Sequence, residues 1–109
     1  MPRETGLLPG TLAMLILRVL ANQSRHGYAI AQAIHQLSSE ELNVEEGSLY
    51  PALQKLLLKG WVKANWTTSE SGREVREYRI TPAGRKQLDS ELAEYRRMTR
   101  AIEALLGNT

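Results

Sequence analysis

The apolar pattern of this chain changes its period at Gly60, from the three-to-four-residue spacing of helices to the two-residue alternation of strands. Ahead of that point Leu12, Leu15, Ile16, Val19 and Leu20 define a first helix to about Ala21. Asn22-Gln23-Ser24-Arg25 is polar turn material. Tyr28, Ala31, Ile34 and Leu37, with Ile30 and Ala33, then define a second helix from about Gly27 that ends near Ser38 and Ser39. A polar link to about Glu45 leads into a third, where Leu49, Leu53, Leu56 and Leu57 line one face at i, i+4, i+7 and i+8. Gly60 suits the position just past a helix end because it tolerates positive φ.

Beyond Gly60, Val62, Ala64 and Trp66 alternate with Lys63 and Asn65, and Tyr78 and Ile80 alternate with Glu77 and Arg79. The stretch between is rich in Ser, Thr, Glu and Gly. It predicts a β-hairpin with a polar tip around Ser69-Glu70-Ser71-Gly72, and Trp61 and Trp66 are expected to pack at its base. In Thr81-Pro82-Ala83-Gly84 the threonine hydroxyl can accept a hydrogen bond from an early helical N–H, and proline fits the first helical position. A fourth helix is expected from about Pro82 to Leu106. Along it Leu88, Leu92, Tyr95, Thr99, Ile102 and Leu106 form a heptad seam, with Met98 and Leu105 beside it. Such a helix either folds back on its own domain or packs against a second copy; a seam of this length exceeds what a compact small domain usually covers, so Leu88, Leu92, Tyr95, Met98, Ile102, Leu105 and Leu106 are expected to pair two copies of the chain.

The expected fold is therefore mainly α with a small β-hairpin: a winged helix-turn-helix over residues 1–81, with its wing at about 61–80, and a C-terminal dimerisation helix over 82–109. In that geometry the third helix enters the major groove of DNA and the hairpin lies along the phosphates.

Composition agrees with a single folded domain: 109 residues, 42% hydrophobic and 24% charged. No apolar run approaches the ~20 residues of a membrane span. The first residues lead into no signal-peptide core, so the expected location is cytoplasmic and no membrane partner is expected. With no cysteine there is neither a disulfide framework nor a thiolate metal site. The net charge of +2 is unevenly distributed. From Lys55 to Lys86 there are eight cations against three acids, a concentration that attracts a polyanion or simply forms a solvated charged hairpin.

The polar side of the third helix carries Ser48, Tyr50, Pro51, Gln54 and Lys55, a set suited to phosphates and base edges. A proline this early interrupts no intrahelical bond, leaving the N-terminal N–H groups and the Ser48 and Tyr50 hydroxyls free for contact; the alternative is a Tyr50 packed on the core. Gln54 is suited to the N6 and N7 edge of adenine, and Lys55 to guanine or a phosphate. Glu45 and Glu46 are assigned to the positive end of the helix dipole.

Four segments together resemble the PadR family of bacterial transcriptional regulators: Leu7-Leu8-Pro9-Gly10-Thr11-Leu12, His26-Gly27-Tyr28-Ala29-Ile30, Glu46-Gly47-Ser48-Leu49-Tyr50-Pro51-Ala52-Leu53 and Tyr78-Arg79-Ile80-Thr81-Pro82-Ala83-Gly84. The single C-terminal helix is similar to the short branch of that family, and the Leu-Pro-Gly-Thr opening to the branch called acidobacterial. The resemblance implies a dimeric repressor of double-stranded DNA, often acting on nearby genes, with detoxification and efflux among the targets. It also implies that an aromatic on the last helix, here Tyr95, lines a site for a flat hydrophobic or aromatic effector at the dimer centre; the alternative is a seam-packing tyrosine.

Gly27 is read as permitting a tight start to helix two, with Tyr28 on a phosphate or half-buried. Arg73 beside Gly72 is the expected wing contact, supported by Arg76 and Lys63, whereas Arg79 is a candidate partner for a neighbouring acid. Catalysis and cofactors are not expected. His26 and His35 lie nine residues apart, on opposite sides of a helix, and no phosphate loop or nucleophile-base arrangement is apparent. The competing class is a winged helix used only for protein interaction, in which the groove-facing side loses its cations and hydroxyls.

Overall fold

The computed structural model describes residues 10–107, so the expected N-terminal arm through Pro9 lies outside the described residues. The elements run α1 (Leu12–Asn22), β1 (Arg25–His26), α2 (Gly27–Leu37), α3 (Glu46–Leu58), β2 (Val62–Thr68), β3 (Glu74–Ile80) and α4 (Pro82–Leu106). The expected hairpin is one part of a three-stranded antiparallel sheet in the order β1-β3-β2. The turn segment before α2 supplies the additional strand, pairing Arg25 with Tyr78 and His26 with Glu77.

The core is built from one face of each helix. Ile16, Leu17 and Leu20 of α1, Ile30 of α2, Leu49, Leu53 and Leu56 of α3 and Val62 of β2 are its largest fully enclosed side chains. Burying each such aliphatic side chain contributes about 1.5–3 kcal/mol. In α2 the buried face is Gly27, Ile30, Ala33 and Ile34, while Tyr28 and Leu37 of the expected stripe are exposed. The two stripes are adjacent on a helix, and it is the buried one that faces α1, α3 and β3.

One clamp joins α3, the sheet and α4. Gly60 takes φ +74°, ending α3, and its carbonyl accepts a 2.7 Å bond from the Thr81 hydroxyl. That hydroxyl accepts in turn from the Gly84 N–H at 3.0 Å, and the Thr81 N–H donates to the Trp61 carbonyl at 3.0 Å. Thr81 is thus both the cap of α4 and its tether to the wing. Gly84 permits the approach, since a β-carbon there would fall 2.0 Å from the Trp61 carbonyl oxygen.

The α4 seam divides into two parts. Leu88, expected on the dimer seam, is instead a core residue of its own chain at 5% exposure, and Leu92 packs against that core. From Ala93 to Gly107 every residue is exposed, including Tyr95, Met98, Ile102, Leu105 and Leu106. A compact chain of this length has a radius of gyration of about 13 Å. The value of 15.3 Å and long axis of 57 Å reflect the outer part of α4 standing clear of the body.

Candidate nucleic-acid interface

Successive residues of α3 turn by about 100° around its axis. With Leu49, Leu53 and Leu56 inward, the outermost ridge is Gly47, Pro51, Gln54 and Leu58, all exposed. Tyr50 flanks that ridge on the wing side, and Ser48 and Lys55 flank it on the α4 side. Pro51 lies inside α3 rather than in its first turn, so, contrary to expectation, its missing N–H removes the intrahelical bond to the carbonyl of exposed Gly47.

The wing side forms a groove of about 740 Å³ between α3, the start of α2 and the sheet. Tyr28, Tyr50, Gln54, Arg73 and Arg76, five of the nine expected contact residues, line it together. Tyr28 is 66% exposed and so lies on this surface rather than in the core. Ser48, Pro51 and Lys55 line a second hollow of about 650 Å³ that faces Lys59, Trp61 and Gln87. Lys63 joins neither. It stands directly across from Arg79, whereas Arg76 stands across from Trp66, and adjacent positions on a strand point to opposite faces. Among the described residues Arg79 has no acid partner, and the ion pair there is Arg97 with Glu94, on α4.

Two local devices hold this surface. At the wing tip Gly72 adopts φ +86°, and Ser69 bonds Arg73 through both N–H to O=C at 2.8 Å and Arg73 N–H to Oγ at 3.2 Å. The basic side chain therefore rises from a closed turn. At the α2 end, the Tyr50 ring lies over the backbone of Gly27: a β-carbon at Gly27 would come 2.7 Å from the phenol oxygen. Gly27 serves this contact; its φ is not in the positive region. Burial, followed by the Glu46 carboxylate and Tyr78, raises the Tyr50 phenol above its ordinary pKa of 10.0, so it keeps its proton to more alkaline pH than a free tyrosine.

Trp66 was expected to pack at the hairpin base. It is 67% exposed and forms part of the groove wall, whereas Trp61 is partly buried against the core with the Lys59 ammonium 5.0 Å from its ring. His26 and Glu46 also line the groove, and Leu58 extends the α3 ridge. Parity along the strands carries the signal for Trp66 and Arg76, because each alternates in step with a buried residue, Val62 and Tyr78.

Three helices, a sheet-borne wing and an exposed third-helix ridge flanked by Ser48, Tyr50 and Lys55 define a winged-helix DNA-binding regulator. The family model described as "Transcriptional regulator PadR-like family" matches residues 16–90, and the chain belongs to that family. It is a transcriptional regulator, not an enzyme. Among solved structures, it is 27% identical to a transcriptional regulator from Clostridium thermocellum, with a TM-score of 0.80 over 87% of this chain and 92% of the other. A PadR family transcriptional regulator from Eggerthella lenta is also 27% identical, with a TM-score of 0.77 over 92% and 85% of the two chains. An uncharacterized 37.1 kDa protein in transposon TN4556 of Streptomyces fradiae is 42% identical over 86 residues, 79% of this chain. The matched segment spans 23% of that protein's length. Among the described residues no helix is long and apolar enough to cross a membrane.

Proposed function

We propose that the chain acts as a homodimeric, sequence-specific repressor that places α3 in the major groove of a palindromic operator and sets its wing along the flanking phosphates. The observation that carries this is the convergence of Tyr28, Tyr50, Gln54, Arg73 and Arg76 on one groove beside the α3 ridge. Gln54, on the ridge, reads base edges; Tyr28, Tyr50 and Arg73 meet the backbone on the wing side, and Ser48 and Lys55 do so on the other flank. Lys63, on the outer face of the wing, contributes to the long-range field.

The exposed half of α4 supports pairing of two copies through Tyr95, Met98, Ile102, Leu105 and Leu106, with Leu88 and Leu92 fixing the helix to its own domain. Two-fold pairing presents two recognition helices to successive major grooves about 34 Å apart. A flat hydrophobic effector would meet Tyr95 where the two seams cross. Nuclease footprinting of the DNA upstream of the chain's own coding sequence tests the proposal. The expected result is two protected half-sites about one helical turn apart. A protein-interaction winged helix, the competing class, would protect none, and the exposed cations and hydroxyls of this groove disfavour it.

A further inference from the structure

Arg76 holds an unusual position on the wing. In β3 it stands directly opposite Trp66 of β2, and its guanidinium lies 5.7 Å from the Trp66 ring centre and 5.8 Å from that of Tyr78. Both distances fall within the range of cation–π attraction. Yet it has no ion pair among the described residues, and its buried Nε has no hydrogen-bond partner. Glu46 lines the same groove from α3 without pairing with it. Two rings thus flank an arginine whose fork of donors lacks an oxygen acceptor among the described residues, and a buried donor left unpaired is costly.

We propose that Trp66 is a positioning residue for DNA binding: with Tyr78 it holds Arg76 in the groove as a preformed receptor for one backbone phosphate. The inference rests on the DNA-binding function proposed above and adds a residue that does not itself need to touch a base. A phosphate supplies the oxygen acceptors that a guanidinium fork matches, and a guanidinium already held by rings loses less freedom on binding. The large exposure of Trp66 follows from the same role, because its ring extends the wing beyond the core to reach an arginine at the groove rather than filling the interior.

The test is the affinity of the full chain for a fluorescein-labelled duplex taken from the DNA upstream of its own coding sequence, followed between about 50 and 200 mM salt. Arg76→Gln is expected to weaken binding and to make the slope of log affinity against log salt shallower by about 0.9. Trp66→Leu is expected to weaken binding about threefold or more, Trp66→Tyr to restore most of the loss, and Trp66→Leu to add little in an Arg76→Gln background. Unchanged thermal melting of the Trp66 variants separates positioning from folding. Trp66→Leu binding as tightly as the unaltered chain overturns the proposal, as do fully additive effects of the two substitutions. If the unaltered chain binds no duplex in a salt-dependent way, the DNA-binding function itself fails and the proposal with it.

Discussion

The Tyr50 phenol rests against the Gly27 backbone so closely that one added carbon would meet its oxygen at 2.7 Å. This contact joins the second turn of α3 to the first residue of α2, and it sets where the phenol stands in the groove. Because the obstructing atoms belong to the far end of a side chain, Gly27→Ala is expected to displace Tyr50 with a stability loss of about 1 kcal/mol or less, while weakening duplex binding several-fold. Denaturant unfolding beside a binding titration checks both. A large loss of stability would show instead that the backbone cannot yield there.

The same phenol gives a pH signature. Its pKa is raised in the folded chain, so the folded state retains the proton after the unfolded state begins to lose it at 10.0. The resulting stability is fully present below pH 10.0 and is lost as pH rises from there through the folded value. Urea unfolding across that alkaline window is expected to show a fall that Tyr50→Phe removes in part.

Thr81 and Gly84 join the wing to α4, and their substitutions act on folding. Thr81→Ala loses the cap to Gly84 and the bond to Gly60, an expected cost of about 1–2 kcal/mol. Gly84→Ala sets a carbon against a backbone oxygen, which no rotamer change relieves, and is expected to cost about 2 kcal/mol or more. Shifts in the denaturant midpoint measure both.

The two halves of α4 separate by mutation. Leu88→Ala is expected to destabilise the fold by about 2–5 kcal/mol, as for a core leucine. Ile102→Glu leaves the core untouched and is expected to convert a dimer to a monomer in analytical ultracentrifugation, weakening operator binding with it.

How much of this was legible in the sequence varied with the range of the interaction. The bounds of α4 followed from Thr81-Pro82 and a long repeat, both local signals, and the Gly60 stop and the wing tip were local too. A two-residue strand such as β1 carries no alternation to detect; it exists because β3 offers an edge. The role of Gly27 depends on a tyrosine more than twenty positions away, and the exposure of Trp66 on how far the wing extends past the core. Leu88 lies on the apolar face that the repeat marks, but it is buried in its own chain rather than at a seam between copies. Periodicity identifies an apolar face, but what covers it, α1 or a second copy, is settled only by packing. For the groove, strand parity already set Lys63 and Arg76 on opposite faces, yet counting cations alone grouped them.

The most direct measurement of the central claim is the affinity of the intact chain for the duplex upstream of its own coding sequence against a shuffled duplex of equal length, across a salt series. The account predicts tighter binding to the upstream duplex and an affinity that falls steeply with salt, with Lys55→Ala and Arg73→Ala each lowering it and Arg73→Ala making the salt dependence shallower. Absence of salt-dependent binding to any duplex would contradict it, and unchanged affinity in both variants would contradict the assignment of the contact residues.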